Sequence, residues 1–280
     1  MRIGSEEHKE LFCRSFLSSH IAYDPPQLPW PDLTEAELAR LRGIPVWTMA
    51  LQTELNAGVM VNGFAETQPD YLIRQAIRLQ GYEEDRHARM IGYLSERYGL
   101  DAKPAEPTLR PERRAFIDFG YAECIDSFLG FGVFRLAQEV QFLPDSLITL
   151  FSRVMTEEAR HIVFFVNWIA YERARRGYGA PALQALPTAI GYLRALAKNF
   201  GRAKAVDQKE MGFAAAGDVF EGLTLSSFLQ ACLAANEGYM AEFDERLLRP
   251  RVVPSLARLV LKVAGNGKRA RSARSTPAHA

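Results

Sequence analysis

The chain has 280 residues, with 34 Lys and Arg against 33 Asp and Glu, and its net charge of +1 gives no footing for a nucleic-acid partner. Its apolar share of 48% and charged share of 24% are those of an ordinary globular protein. The three cysteines, Cys13, Cys124 and Cys232, lie far apart and form no C-x-x-C pair, which argues against a zinc ribbon and a disulfide framework. The first residues mix both charges, and the longest apolar run, near 162–171, is too short to span a bilayer. A cytoplasmic protein with no membrane partner is therefore expected.

Residues 1–44 read as an arm. A helix is predicted over about 5–19, then a breaker-rich stretch with Pro25, Pro26, Pro29 and Pro31, then a short helix over about 34–42 capped by Asp32 or Thr34. Leu51, Glu54, Gly58 and Val61 recur at helical spacing and place a helix at about 45–65. Pro69 ends it, and the next helix runs from about 70 to 98. Its stripe is Ile73, Ile77, Gln80, Glu84, His87, Ile91 and Leu94, apolar at both ends and ionisable in the middle.

Residues 99–110 carry Gly99, Pro104 and Pro107 and read as a loop. A third helix, from Pro111 to about 140, has Phe116, Gly120, Glu123, Ser127, Gly130 and Phe134 on one stripe. After Pro144 a fourth runs from about 146 to 175, with Leu147, Phe151, Val154, Glu158, His161, Phe165 and Trp168 inward. A helix of about 28 residues is roughly 42 Å long, and a loop of about 12 residues reaches roughly 40 Å. The 99–110 loop can thus run back along the helices. The expected fold is all-α: a bundle over 45–176 made of two antiparallel hairpins with one long crossover. Accessory helices follow over 177–265, at about 182–205, 217–246 and 253–264 with a connection near 207–216. A disordered basic tail is expected over 266–280.

Two stretches carry the chemistry. Glu83-Glu84-Asp85-Arg86-His87 and Glu157-Glu158-Ala159-Arg160-His161 share the pattern acid-Glu-x-Arg-His. A Glu and a His three apart share one helix face. Each motif has a partner glutamate on the other arm of its hairpin, Glu54 for the first and Glu123 for the second. Glu54, Glu84, Glu123 and Glu158 carry four negative charges, which two divalent cations balance. Carboxylate and imidazole donors without thiolate suit iron or manganese. His87 and His161 would give one nitrogen to each ion, Glu84 and Glu158 would bridge, and Glu54 and Glu123 would be terminal. A ligating histidine usually donates its other N–H to a carboxylate, so Glu83 is expected to hold His161 and Glu157 to hold His87. Arg86 and Arg160 then neutralise those acids. The competing reading is a set of structural Glu–Arg and Glu–His pairs, which must account for four costly burials at once.

On these residues the chain resembles the ferritin-like di-iron carboxylate superfamily. The paired motifs are most similar to its oxygen-activating branch, the acyl-carrier-protein desaturases and bacterial multicomponent monooxygenases. The resemblance covers about residues 45–175. It implies a ferritin-like four-helix bundle with Glu54, Glu84, His87, Glu123, Glu158 and His161 as ligands to two iron ions or an iron–manganese pair. It also implies a hydroxyl residue one turn after the helix-3 glutamate as a proton relay; Ser127 stands there, with Asp126 beside it. The pattern departs from neighbouring families: Ile91 stands where ribonucleotide reductase small subunits carry a radical tyrosine, and the C-x-x-C pairs of rubrerythrins are missing.

The expected function is a di-iron oxidoreductase that uses dioxygen to hydroxylate, desaturate or N-oxygenate a small or carrier-bound organic substrate. An external reductase or ferredoxin would be its electron donor, and a homodimer is compatible with it. The alternative is an iron-binding protein with ferroxidase activity and no organic substrate. The glycines Gly120, Gly130 and Gly132 among helix-3 phenylalanines suit either substrate room or tight packing. Gln80 suits a core edge better than the site, and Tyr82 and Tyr121 suit packing better than electron transfer. The basic stretch 171–206 suits a solvated face or an acidic partner.

Overall fold

The computed structural model describes residues 1–107, 111–178, 181–205 and 222–274. The described residues are helical, with no strand among them. In chain order the helices are α1 (Glu6–Ser18), α2 (Glu35–Arg42), α3 (Trp47–Glu66), α4 (Tyr71–Tyr98), α5 (Arg113–Glu139), α6 (Asp145–Arg175), α7 (Pro181–Ala205), α8 (Leu225–Ala241) and α9 (Val252–Arg274). A 3-10 turn at Pro25–Gln27 lies between α1 and α2.

Local chemistry sets the boundaries. Asp70 caps α4 by accepting from the backbone N–H of Leu72 and Ile73 at 3.0 and 3.1 Å. Gly99, at φ 64°, ends α4 in the left-handed conformation that glycine adopts without strain. Thr34 and Glu37 form a reciprocal capping box on α2.

Helices α3 and α4 pack as an antiparallel hairpin, and α5 and α6 as a second. The connection between them runs back along α3. Thr48 donates to the carbonyl of Asp101, Ala105 donates to Gln52, and Pro111 lies against Gly63. Hence α5 starts beside the end of α3 and runs opposite to it. Phe64 of α3 stacks on Phe116 of α5 at 4.4 Å between ring centroids, and Trp168 of α6 meets Phe116 edge-on at 4.9 Å. These rings close one end of the core. Leu94, Phe128, Leu147 and Leu150 fill the other. The glutamate–histidine motifs lie between.

Two of the three α5 glycines, Gly120 and Gly132, serve packing. A Cβ at Gly120 would overlap the Phe165 ring, and one at Gly132 would overlap Cys232 of α8; at Gly130 the space is open.

Three extents differ from expectation. Helix α8 spans Leu225–Ala241, not 217–246; of its expected start, residues 217–221 lie outside the described residues, as does the 207–216 connection. Its early end has a cause. Arg249 donates to the carbonyls of Met240, Phe243, Asp244 and Leu247, which holds the chain in a turn. Helix α9 continues to Arg274, through residues expected to be a disordered tail. Ala, Lys and Arg, which dominate there, are strong helix formers. Residues 275–280 lie outside the described residues.

The N-terminal arm is more integrated than its sequence suggests. Helix α1 packs on α4 and α6. Lys9 pairs with Asp70 at 2.5 Å, and His8, fully buried, bonds Asn167 at 3.1 Å.

Candidate metal centre

Helices α4 and α6 run antiparallel, so residues 83 and 161 face each other, as do 87 and 157. Glu83 and Glu157 have no exposed surface. The Nε2 of His161 stands 2.9 Å from Glu83, and the Nε2 of His87 stands 2.8 Å from Glu157. Each acid also accepts from an arginine. Arg160 donates to Glu83 at 2.8 Å and Arg86 to Glu157 at 2.5 Å. The Glu83 carboxyl is held well below its usual range: burial opposes its charge, but His161 and Arg160 outweigh burial.

The other ring nitrogens face inward. His87 Nδ1 lies 3.2 Å from Glu158, 3.5 Å from Glu54 and 3.9 Å from Glu84. His161 Nδ1 lies 3.2 Å from Glu84 and 3.9 Å from Glu158. Glu84 and Glu158 thus stand between both imidazoles, while Glu54 adjoins His87. Glu123 on α5 is buried near Glu158 and Glu84, but neither it nor His161 belongs to the four residues whose ligand atoms converge most closely. Neither Nδ1 has a hydrogen-bond partner of acceptable geometry, although both are buried.

The charges strain against one another. Burial, with Glu158 and Glu84 nearby, raises Glu54 to about 8. Burial and the same two neighbours raise Glu123 well above the carboxylate range. Burial also opposes the charge of Glu158, but His87 and His161 hold it down at about 2. His161, despite burial, is drawn up to about 10 by Glu84 and Glu83. Without a metal ion, protons balance the carboxylates. Inward imidazole nitrogen beside carboxylates, with no thiolate, makes a donor set that fits a divalent cation. Ligand atoms of Glu54, Glu84, His87 and Glu158 all lie within 4.8 Å of one another.

The remaining expected residues separate. Ser127, buried, donates to Glu158 at 3.4 Å. Asp126 is exposed, so of that pair only the serine reaches the carboxylates. Gln80 is at the site after all: it is buried and donates to Glu84 at 3.2 Å. Tyr121 is a packed ring whose hydroxyl accepts from Arg173 at 2.7 Å, and Tyr82 is exposed.

Sequence reasoning missed the cover over the motif acids. His20 Nδ1 meets Glu83 at 2.7 Å, and Tyr23 donates to Glu157 at 3.0 Å. Arg160 donates to Ser19 and to the carbonyl of Phe16, and Arg86 to the carbonyl of Ile21. The Arg86 guanidinium lies 3.8 Å over the Tyr23 ring. A signal existed. A guanidinium has five donors, and two carboxylates that each also meet a histidine cannot satisfy two buried guanidinium groups. The missing acceptors come from the last turn of α1 and the irregular segment after it.

No protein-family model, no curated protein and no solved structure matches the chain. The functional reading therefore rests on the geometry. Among the described residues, no helix is long and apolar enough to cross a membrane.

Proposed function

We propose that α3–α6 form a ferritin-like four-helix bundle around a two-iron centre, and that the chain is a non-haem di-iron oxygenase or oxidase. One observation carries this reading. Each motif histidine is clamped at Nε2 by the opposite motif's acid and turns its Nδ1 to the carboxylates, 3.2 Å from Glu158 for His87 and 3.2 Å from Glu84 for His161, without an aligned hydrogen bond. The connection along α3 supports the fold assignment, because one long crossover is the mark of that bundle.

Glu54, Glu84, His87, Glu123, Glu158 and His161 would hold the ions. Bound iron, or an iron–manganese pair, supplies the redox chemistry toward dioxygen that no side chain has. The chain's own part is positioning. Glu83 and Glu157 fix the two rings and the tautomer that exposes Nδ1. Phe16, 5.9 Å from the His161 ring, and Tyr23 exclude water on the side of the arm. Ser127 holds a proton near Glu158. Glu54 has the most exposed side chain among Glu54, Glu84, His87 and Glu158, at 18%. Electrons come from a separate reductase or ferredoxin.

The test is anaerobic loading with iron(II) followed by dioxygen, with and without acyl, amine and aromatic substrates. Product formation coupled to oxygen uptake with one class supports an oxygenase. Continued iron oxidation far beyond two ions per chain, with no organic product, assigns iron handling instead.

A further inference from the structure

We propose that α7 and α9 seat the protein on an anionic lipid surface. Their outer faces are apolar. On α7, Leu183, Leu186, Ile190 and Leu193 recur at helical spacing and are 41–67% exposed. They lie opposite Tyr192 and Ala195, which the helix buries against α5. On α9, Leu256, Leu259, Val260 and Val263 form an i, i+3, i+4, i+7 stripe and are 44–64% exposed, while Pro254 and Ala257 face inward. A surface helix normally turns its polar side outward; these two do not.

Charge selects the occupant. From Arg173 to Ala205 the chain has seven basic residues and no acidic one, and from Arg246 to Arg274 nine and none. Some are engaged internally: Arg194 pairs with Asp118 at 2.8 Å, Arg246 with Asp244 at 2.6 Å, Arg258 with Glu237 at 3.3 Å and Arg176 with Glu172 at 3.4 Å, while Arg173 donates to Thr188 and Tyr121 and Arg249 holds carbonyls. Others, such as Arg251 and Lys262 on the flank of the α9 stripe, are exposed. A second copy of the chain would set cation against cation. An acidic protein would match the charge but leave the apolar stripes without a stated use. An apolar helix face flanked by Lys and Arg is the pattern of interfacial helices on anionic bilayers. Since no described helix can cross a bilayer, the contact is superficial. The expectation of no membrane partner rested on the lack of a spanning segment, which leaves this mode untouched. The inference does not depend on the metal site.

The experiment is flotation of the full chain with vesicles of phosphatidylcholine alone and of phosphatidylcholine with phosphatidylglycerol, at low and high salt. The expected result is binding at least roughly tenfold tighter to the anionic vesicles, weakening with salt, since each basic residue near the surface contributes about fivefold. The doubly substituted variants Leu259→Glu/Val263→Glu and Leu186→Glu/Leu193→Glu should lose it while keeping the wild-type circular dichroism. Exposed positions of this kind carry little folding energy. Two results would overturn the proposal. One is failure of the folded wild type to float with anionic vesicles at low salt. The other is a concentration-dependent dimer in sedimentation that the same substitutions dissociate.

Discussion

Glu83 and Glu157 are the residues on which the site's order depends, although neither points at the cluster. Each accepts from an arginine and stands against a histidine of the opposite helix, with no water-exposed surface. Glu83→Gln would leave Arg160 buried without its counter-charge, and loss of one partner from a buried pair costs about 3–5 kcal/mol. Urea denaturation should show that loss, and iron(II) titration should show affinity lower by about 10–100-fold, the usual effect of removing a carboxylate that orients a ligating histidine. Unchanged affinity in a folded Glu83→Gln protein would mean that His161 is not a ligand. Gly120 gives a contrasting prediction. Gly120→Ala gains about 1 kcal/mol of helix propensity, but the new methyl meets the Phe165 ring. Overpacking typically costs about 1–3 kcal/mol, so the net effect should be destabilising in the same assay. A rise in stability would restore the view that this glycine provides open space.

At the scale of elements, the arm and α4 are tied together at Asp70. That residue caps α4 and pairs with Lys9 of α1. Burial opposes its charge, yet Lys9 and the two backbone N–H groups outweigh burial and hold its carboxyl below the usual range. The sign follows from linkage. A depressed carboxyl stabilises the fold above its unfolded value of about 3.9, and that contribution is lost as pH falls through the folded value. Asp70→Ala should therefore lower the melting temperature at neutral pH, by the equivalent of about 1 kcal/mol for the lost cap alone. The gap to wild type should shrink below about pH 4; a gap constant with pH would mean that Asp70 acts without its charge.

The boundaries of α3 to α6 were legible because their signals are local: Pro69, Gly99, Pro144 and a helical stripe on each side. The cross-pairing of Glu83 with His161 and of Glu157 with His87 was legible for a different reason, namely that two identical motifs on antiparallel helices must exchange partners. The arm's cover over those acids was not legible. His20 and Tyr23 stand in an irregular stretch with no periodicity, and their partners are more than sixty positions away. The turn that ends α8 was hidden too, because Arg249 acts on carbonyls that no residue type announces.

At the scale of the whole molecule, the core of α3 to α6 sets four carboxylates and two imidazoles against one another. Ligands that bind only the folded state stabilise it by mass action, about 2.7 kcal/mol at a hundredfold excess over the dissociation constant. Iron(II) or manganese(II) should accordingly raise the melting temperature, chelation should reverse the rise, and Glu84→Ala should show neither. The outer faces of α7 and α9 belong to a separate function of the same molecule, and their glutamate variants should respond to iron(II) as the wild type does.

The most direct measurement of the central claim is an anaerobic iron(II) titration of the full chain, read by bound iron per chain, on wild type and on His87→Ala and His161→Ala. The wild type should saturate at two ions, and removal of either histidine should abolish stoichiometric loading. No saturable binding by the folded wild type, or loading that neither histidine affects, would contradict it.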